Sequence, residues 1–123
     1  VKESIDSGVF GAVQEVATFA LARVADRLLE EVMRPYPERR RVIVEALTAA
    51  GVEVFPTQAT FYVWARVPGE EASLDFCARV LRDHGVVLTP GVGFGPGGEG
   101  WFRISLTAPD ERVAAAAARL REL

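Results

Sequence analysis

Apolar residues recur at three- and four-residue steps across positions 10–33, where Val13, Val16, Ala17, Ala20, Leu21, Val24, Leu28 and Val32 share one stripe. That spacing predicts a long amphipathic helix, because residues three and four apart lie on one helix face. Asp6 or Ser7 can cap its start, and Pro35 with Pro37 ends it. A helix of about 24 residues would reach about 36 Å, more than one small domain needs. Its first turns therefore suit packing against protein outside this chain.

A second helix is predicted over 37–50, with Val42, Ile43, Ala46, Leu47 and Ala50 inward and Gly51 as its stop. Arg39, Arg40, Arg41 and Glu45 are expected mostly outward, on a solvated face. Residues 52–55 read as a short strand. After a turn at 56–59, residues 60–67 form a strand with Phe61, Val63 and Ala65 facing one way and Tyr62, Trp64 and Arg66 the other. Ser73 is expected to cap a helix running to about His84, with Gly85 at its end. A short strand at 86–89 leads through a loop to a strand at 101–106, which places Phe102, Ile104 and Leu106 opposite Trp101, Arg103 and Ser105. Thr107 and Asp110 then resemble a capping box for a last helix from Pro109, whose inner stripe is Val113, Ala116, Ala117 and Leu120. The order implies an α+β fold: a small antiparallel or mixed sheet of about four short strands, helices packed on one face, preceded by the long helix.

The loop before the last strand concentrates the unusual chemistry. Gly93, Gly95, Gly97, Gly98 and Gly100 fall within eight residues of one another, with Gly91 and two prolines beside them. The segment is a loop with special backbone angles, and it cannot be helix. Because these glycines precede a strand rather than open a helix, they are not a dinucleotide or P-loop cradle. Arg103 follows in mid-strand, away from the apolar face. Two roles remain open for it from alternation alone: a guanidinium fork matched to a carboxylate, or the solvated side of a half-exposed strand.

Composition narrows the choices. The chain has 123 residues, half of them apolar, and a net charge of -3, which suits one soluble globular domain and offers no basic field for nucleic acid or an anionic membrane. No apolar run approaches the roughly 20 residues that span a bilayer, and a cytoplasmic protein is expected. Cys77 is the lone cysteine and reads as a small buried hydrophobe. With His84 the lone histidine, no metal site is expected. The basic residues are arginines except for Lys2, and the start at Val1 without Met suggests part of a longer protein.

Six pieces in order carry a family resemblance: S-G-V-F-G-A-V-Q from Ser7, Y-P-E-R-R from Tyr36, A-T-F-Y-V-W from Ala59, T-P-G-V-G-F-G from Thr89, G-E-G-W-F-R-I-S from Gly98, and the closing helix ending R-L. The chain resembles the C-terminal segment of class I and II aminotransferases, pyridoxal-phosphate enzymes of fold type I. The resemblance implies that residues 1–33 link to a missing N-terminal large domain and that 34–123 form a small C-terminal domain closing over the active site. Arg103 would then bind the substrate's α-carboxylate, with Tyr62, Phe61, Gly8 and Ser7 on stretches that approach the substrate. It also implies pyridoxal phosphate in an intact homodimer that moves amino groups between amino acids and 2-oxo acids. Lys2 matches the link after the active-site segment rather than the Schiff-base lysine. The chain alone is thus expected to carry no catalytic residue, to hold no cofactor tightly and to be inactive. The S-G-V-F-G-A-V-Q piece leans towards relatives acting on diaminopimelate-type or dicarboxylic amino acids. The rival expectation is a stand-alone domain that holds a small carboxylate without catalysis, or an interaction domain using the first helix.

Overall fold

The computed structural model describes residues 8–23 and 27–123. They divide into two units, one ending at Arg34 and one spanning Pro35–Leu123. The first unit contains α1 (Gly11–Ala22) and α2 (Arg27–Met33). The predicted single long helix is therefore two: α1 ends at Ala22, where the Arg23 N–H donates to the Ala20 carbonyl in a tight last turn. No residue of α1 is buried, and Phe10, Val16 and Leu21 are all well exposed. Among the described residues nothing buries the α1 part of the apolar stripe, and short helices owe most of their stability to packing. The expected caps Asp6 and Ser7 lie outside the described residues.

The second unit is built of α3 (Tyr36–Ala49), β1 (Tyr62–Arg66), α4 (Ser73–His84), β2 (Thr89–Pro90), β3 (Trp101–Ser105) and α5 (Asp110–Leu120). Gly51 stops α3 as expected. With φ of 76° it lets its own N–H reach Thr48 and the Val52 N–H reach Leu47, the paired closing bonds of a left-handed glycine cap. The sheet is antiparallel in the order β1-β3-β2, so β3 is central. Val63 pairs with Ile104 and Ala65 with Phe102, and these four pack against Ile43 and Leu47 of α3, Phe76 and Val80 of α4 and Val113 and Leu120 of α5. All three helices thus cover one face of the sheet.

The sheet has three strands where about four were expected. The 52–55 segment contributes a single bridge, Val54 to Ala65, with the Arg66 N–H donating to Glu53 and the Phe55 N–H to Trp64. Pro56 follows and has no N–H to extend the ladder. The 86–89 strand shrinks to Thr89–Pro90 because the chain turns into a tight helical turn at Gly91–Phe94, although Val86 and Leu88 still bury their side chains on either side of exposed Val87.

Hydrogen bonds correct three further expectations. Arg39 and Arg40 do not lie on a solvated face. Arg39 donates to Asp110 Oδ1 at 2.6 Å and to the Leu106 carbonyl at 3.0 Å, tying α3 to α5. Arg40 donates to the Tyr62 carbonyl at 3.2 Å and to both the carbonyl and the hydroxyl of Thr57, tying α3 to the start of β1. Only Arg41 is as expected, paired with Glu38 and Glu45 along its own helix. Thr107 caps nothing: its hydroxyl meets that of Ser105, and Pro109 stands at the start of α5.

Ser73 is the third correction. It is the first residue of α4 and fully buried, and the cap comes from Glu99, 26 residues on. Glu99 Oε1 accepts from the Ser73 N–H at 2.6 Å and the Gly100 N–H at 3.0 Å, while Ser73 Oγ donates to Oε2 at 3.1 Å. A carboxylate at a helix start satisfies a free amide and complements the helix dipole. The Ser73 hydroxyl in turn accepts from the Val92 N–H at 3.3 Å. Both ends of the glycine loop are thereby tied to one buried residue. The loop also folds back on itself: a Cβ on Gly91 would lie 2.0 Å from the Gly98 carbonyl oxygen, and one on Gly98 would lie 2.1 Å from that of Gly91.

Two outcomes are expected. Gly91→Ala should lower stability by at least about 3 kcal/mol in denaturant unfolding, because the clash is with backbone that cannot rotate aside, whereas Gly93→Ala, with open space around it, should change it far less. The second concerns acid. The Ser73 and Gly100 amides hold the Glu99 carboxyl below the ordinary glutamate range. A depressed folded-state pKa contributes stability that is present above the unfolded value of about 4.3 and lost as pH falls through the folded value. The thermal midpoint should therefore drop on acidification below about pH 4.3, and Glu99→Gln should flatten part of that slope.

Candidate functional site

Antiparallel pairing places Trp64 and Thr89 directly beside Arg103, so all three side chains leave the sheet on the face opposite the helices. Tyr62, Arg66 and Trp101 share that face by alternation. The bare side of the sheet is consequently aromatic and basic. Trp64 stacks on Trp101 with centroids 6.2 Å apart and rings 14° from parallel, and Phe55 meets Trp101 edge-on at 6.1 Å. Arg66 lies over Trp101 at 5.5 Å.

Arg103 is at the centre. Its guanidinium carbon lies 4.0 Å from the Tyr62 ring centroid and 4.5 Å from that of Phe94, distances at which the ring quadrupole attracts a cation. Phe94 comes from the folded-back glycine loop and also meets Trp64 edge-on at 5.6 Å. The Nε of Arg103 is buried without a hydrogen-bond partner among the described residues, and no carboxylate or carbonyl there accepts from the rest of the group. A buried donor left unsatisfied costs about 1–3 kcal/mol. Three other arginines of the unit are committed: Arg39 to Asp110, Arg79 to Glu71, Arg40 to three acceptors around Thr57 and Tyr62. A half-buried guanidinium that contacts rings and no anion is chemically suited to a carboxylate supplied from outside, held by two parallel charge-assisted bonds.

The neighbouring turn fixes Tyr62. Thr60 has φ of 71°, a left-handed conformation that is strained for a β-branched residue. The two bonds from Arg40 to Thr57, and a weaker one from the Thr57 hydroxyl to Ala59, hold the turn that imposes it. Phe61 then meets Tyr62 at 4.5 Å and Tyr36 at 6.1 Å, both in tilted ring contacts.

Of the residues singled out from sequence, Arg103 and Tyr62 are in contact, and Phe61 supports Tyr62 without touching the guanidinium. Gly8 belongs to the first unit, with φ of 116°, and Ser7 lies outside the described residues. Sequence reasoning missed Phe94. Its signal was a lone bulky ring set between glycines, and it is 52% exposed even though it covers Arg103. Trp64 and Trp101, placed by alternation away from the apolar face, lie on the face opposite the helices. Cys77 is buried in the helical layer, and burial, with Glu71 nearby, pushes its thiol up to about 11, so it is no nucleophile.

Comparison with known proteins identifies the family of the chain. LL-diaminopimelate aminotransferase from Nitratidesulfovibrio vulgaris (strain Hildenborough) is 50% identical over all 123 residues, which correspond to 31% of that protein. The chain thus spans about a third of the length of the curated relatives it matches. Among solved structures, the probable N-succinyldiaminopimelate aminotransferase from Thermus thermophilus superposes with a TM-score of 0.70 at 41% identity, covering 78% of this chain and 26% of that one. The L,L-diaminopimelate aminotransferase from Chlamydomonas reinhardtii gives a TM-score of 0.71 at 31% identity, over 76% of this chain and 23% of that one. Residues 6–120 match the family described as aminotransferase class I and II, and the chain belongs to that family.

Proposed function

We propose that this chain is the C-terminal, small-domain part of a fold type I aminotransferase, and that Arg103 holds the α-carboxylate of the amino-acid or 2-oxo-acid substrate. The observation that carries this reading is the Arg103 guanidinium, packed against Tyr62 and Phe94 with no acceptor of its own among the described residues. A carboxylate arriving at its exposed end would find two parallel donors and a positive charge that the surrounding rings shield from water, which strengthens the attraction. Trp64 and Thr89 flank the same spot.

Pyridoxal phosphate, when bound in the intact enzyme, supplies the electron sink for moving the amino group. The described residues do not fit it. They contain no lysine, since Lys2 is the chain's only one and lies outside them, and the first-turn amide of α4 that could receive a phosphate is taken by Glu99. On this reading the cofactor and the base that moves the substrate's α-proton come from outside the described residues. Arg103 binds and orients the substrate, and the aromatic face excludes water as the small domain closes on the large one. The names of the relatives, LL-diaminopimelate and N-succinyldiaminopimelate aminotransferase, support a diaminopimelate-class substrate.

In the full-length protein, Arg103→Ala should lower kcat/KM for the amino-acid substrate by about a hundredfold or more, in line with the loss of two charge-assisted bonds, while the visible absorbance of the bound cofactor stays unchanged. Arg103→Lys should recover only part of that loss, because an ammonium cannot make the paired fork. Steady-state kinetics equal to wild type in both variants would remove the assignment.

A further inference from the structure

Arg103 is fixed in an unusual way. Neither a hydrogen bond nor an ion pair from the described residues sets where its guanidinium points, so its direction depends on the two rings against it. Tyr62 is anchored through its strand and the Arg40 bond to its carbonyl. Phe94 is on a loop in which six of the ten residues from Gly91 to Gly100 are glycine, and glycine-rich backbone has the most conformational freedom to lose. Something must hold that loop. The holding point is Ser73, whose N–H and hydroxyl both donate to Glu99 and whose hydroxyl accepts from Val92. Phe94 lies between the two tied residues. Two short turns, with Gly95 N–H on the Val92 carbonyl and Gly98 N–H on the Gly95 carbonyl, leave the intervening chain little slack.

We propose that Glu99 is a positioning residue for Arg103: by latching the glycine loop to the first turn of α4 it keeps the Phe94 ring against the guanidinium and so sets the direction from which a carboxylate is received. Glu99 touches no substrate in this account and acts only through Phe94. The proposal rests on the carboxylate-clamp reading of Arg103 for its kinetic consequence, though not for its structural one. Gln at position 99 retains an oxygen for the Ser73 N–H and presents an amide N–H to the hydroxyl, so Glu99→Gln should keep most of the latch, whereas Glu99→Ala removes it. Ser73→Ala loosens it from the other side by deleting the hydroxyl links to both Glu99 and Val92.

Two measurements separate the latch from the clamp. In the 123-residue chain, the Nε–Hε resonance of Arg103 should be displaced by the ring currents of Tyr62 and Phe94. It should move towards the position of an exposed arginine in Glu99→Ala, Ser73→Ala and Phe94→Ala, and stay near wild type in Glu99→Gln. In the full-length protein, Glu99→Ala and Phe94→Ala should raise KM for the amino-acid substrate about tenfold with kcat within about twofold, the pattern of lost binding common to ground and transition states, and Glu99→Gln should restore it. An unchanged Arg103 resonance in Glu99→Ala and Ser73→Ala, with only the melting temperature lowered, overturns the positioning role. A displaced resonance with unchanged KM overturns the clamp and leaves the latch standing. Should Glu99→Ala fail to fold, Ser73→Ala and Phe94→Ala decide the matter alone, since Phe94 is outside the core.

Discussion

An arginine without an acceptor among the described residues is the constraint around which the second unit is arranged. A guanidinium taken partly out of water and given no anion carries a penalty, and the fold accepts it at the middle of its central strand. Tyr62 and Phe94 repay a share through cation–π contact. On the proposed reading the remainder is the condition for binding: an arginine already satisfied by a carboxylate of its own could not take one from a substrate. Arg39, Arg40 and Arg79, elsewhere in the unit, illustrate the opposite solution, each consumed by partners within the unit.

Keeping that guanidinium both open and oriented requires rigidity from elements that lack it individually. β2 is two residues long, the glycine loop has little regular structure beyond two tight turns, and Thr60 is held against its conformational preference. The loop and the turn are each tied by bonds from a helix. Ser73 in α4 binds the two ends of the loop, and Arg40 in α3 binds the turn before β1. The helical layer on one side of the sheet thus determines the chemistry on the other, through a few charge-assisted hydrogen bonds at the sheet's edges.

The distinction between what the residues announced and what they concealed follows the range of the interactions. Patterns within about ten residues were legible: the apolar spacing and Gly51 delimited α3, and the alternation in 60–67 and 101–106 identified β1 and β3 and turned Arg103 away from the core. Interactions between distant residues were not. Arg39 and Arg40 looked like a solvated run because Asp110 and Thr57 are brought to them only by the fold. Ser73 carried the local signature of a cap, yet its role is reversed, since a carboxylate 26 residues away caps the helix that Ser73 begins. Phe94 could not be assigned because the reversal of the glycine loop depends on the close crossing of Gly91 and Gly98. The long first helix failed for a different reason: periodicity reports an apolar face, not whether anything packs on it, and α1 buries no residue.

The most direct measurement is a crystal structure of the full-length protein with an unreactive amino-acid analogue bound. The account predicts both carboxylate oxygens of the analogue at about 2.7–2.9 Å from two guanidinium nitrogens of Arg103, with the Tyr62 and Phe94 rings still against that side chain. An analogue whose carboxylate is held by another residue, with Arg103 still lacking an acceptor, would contradict it.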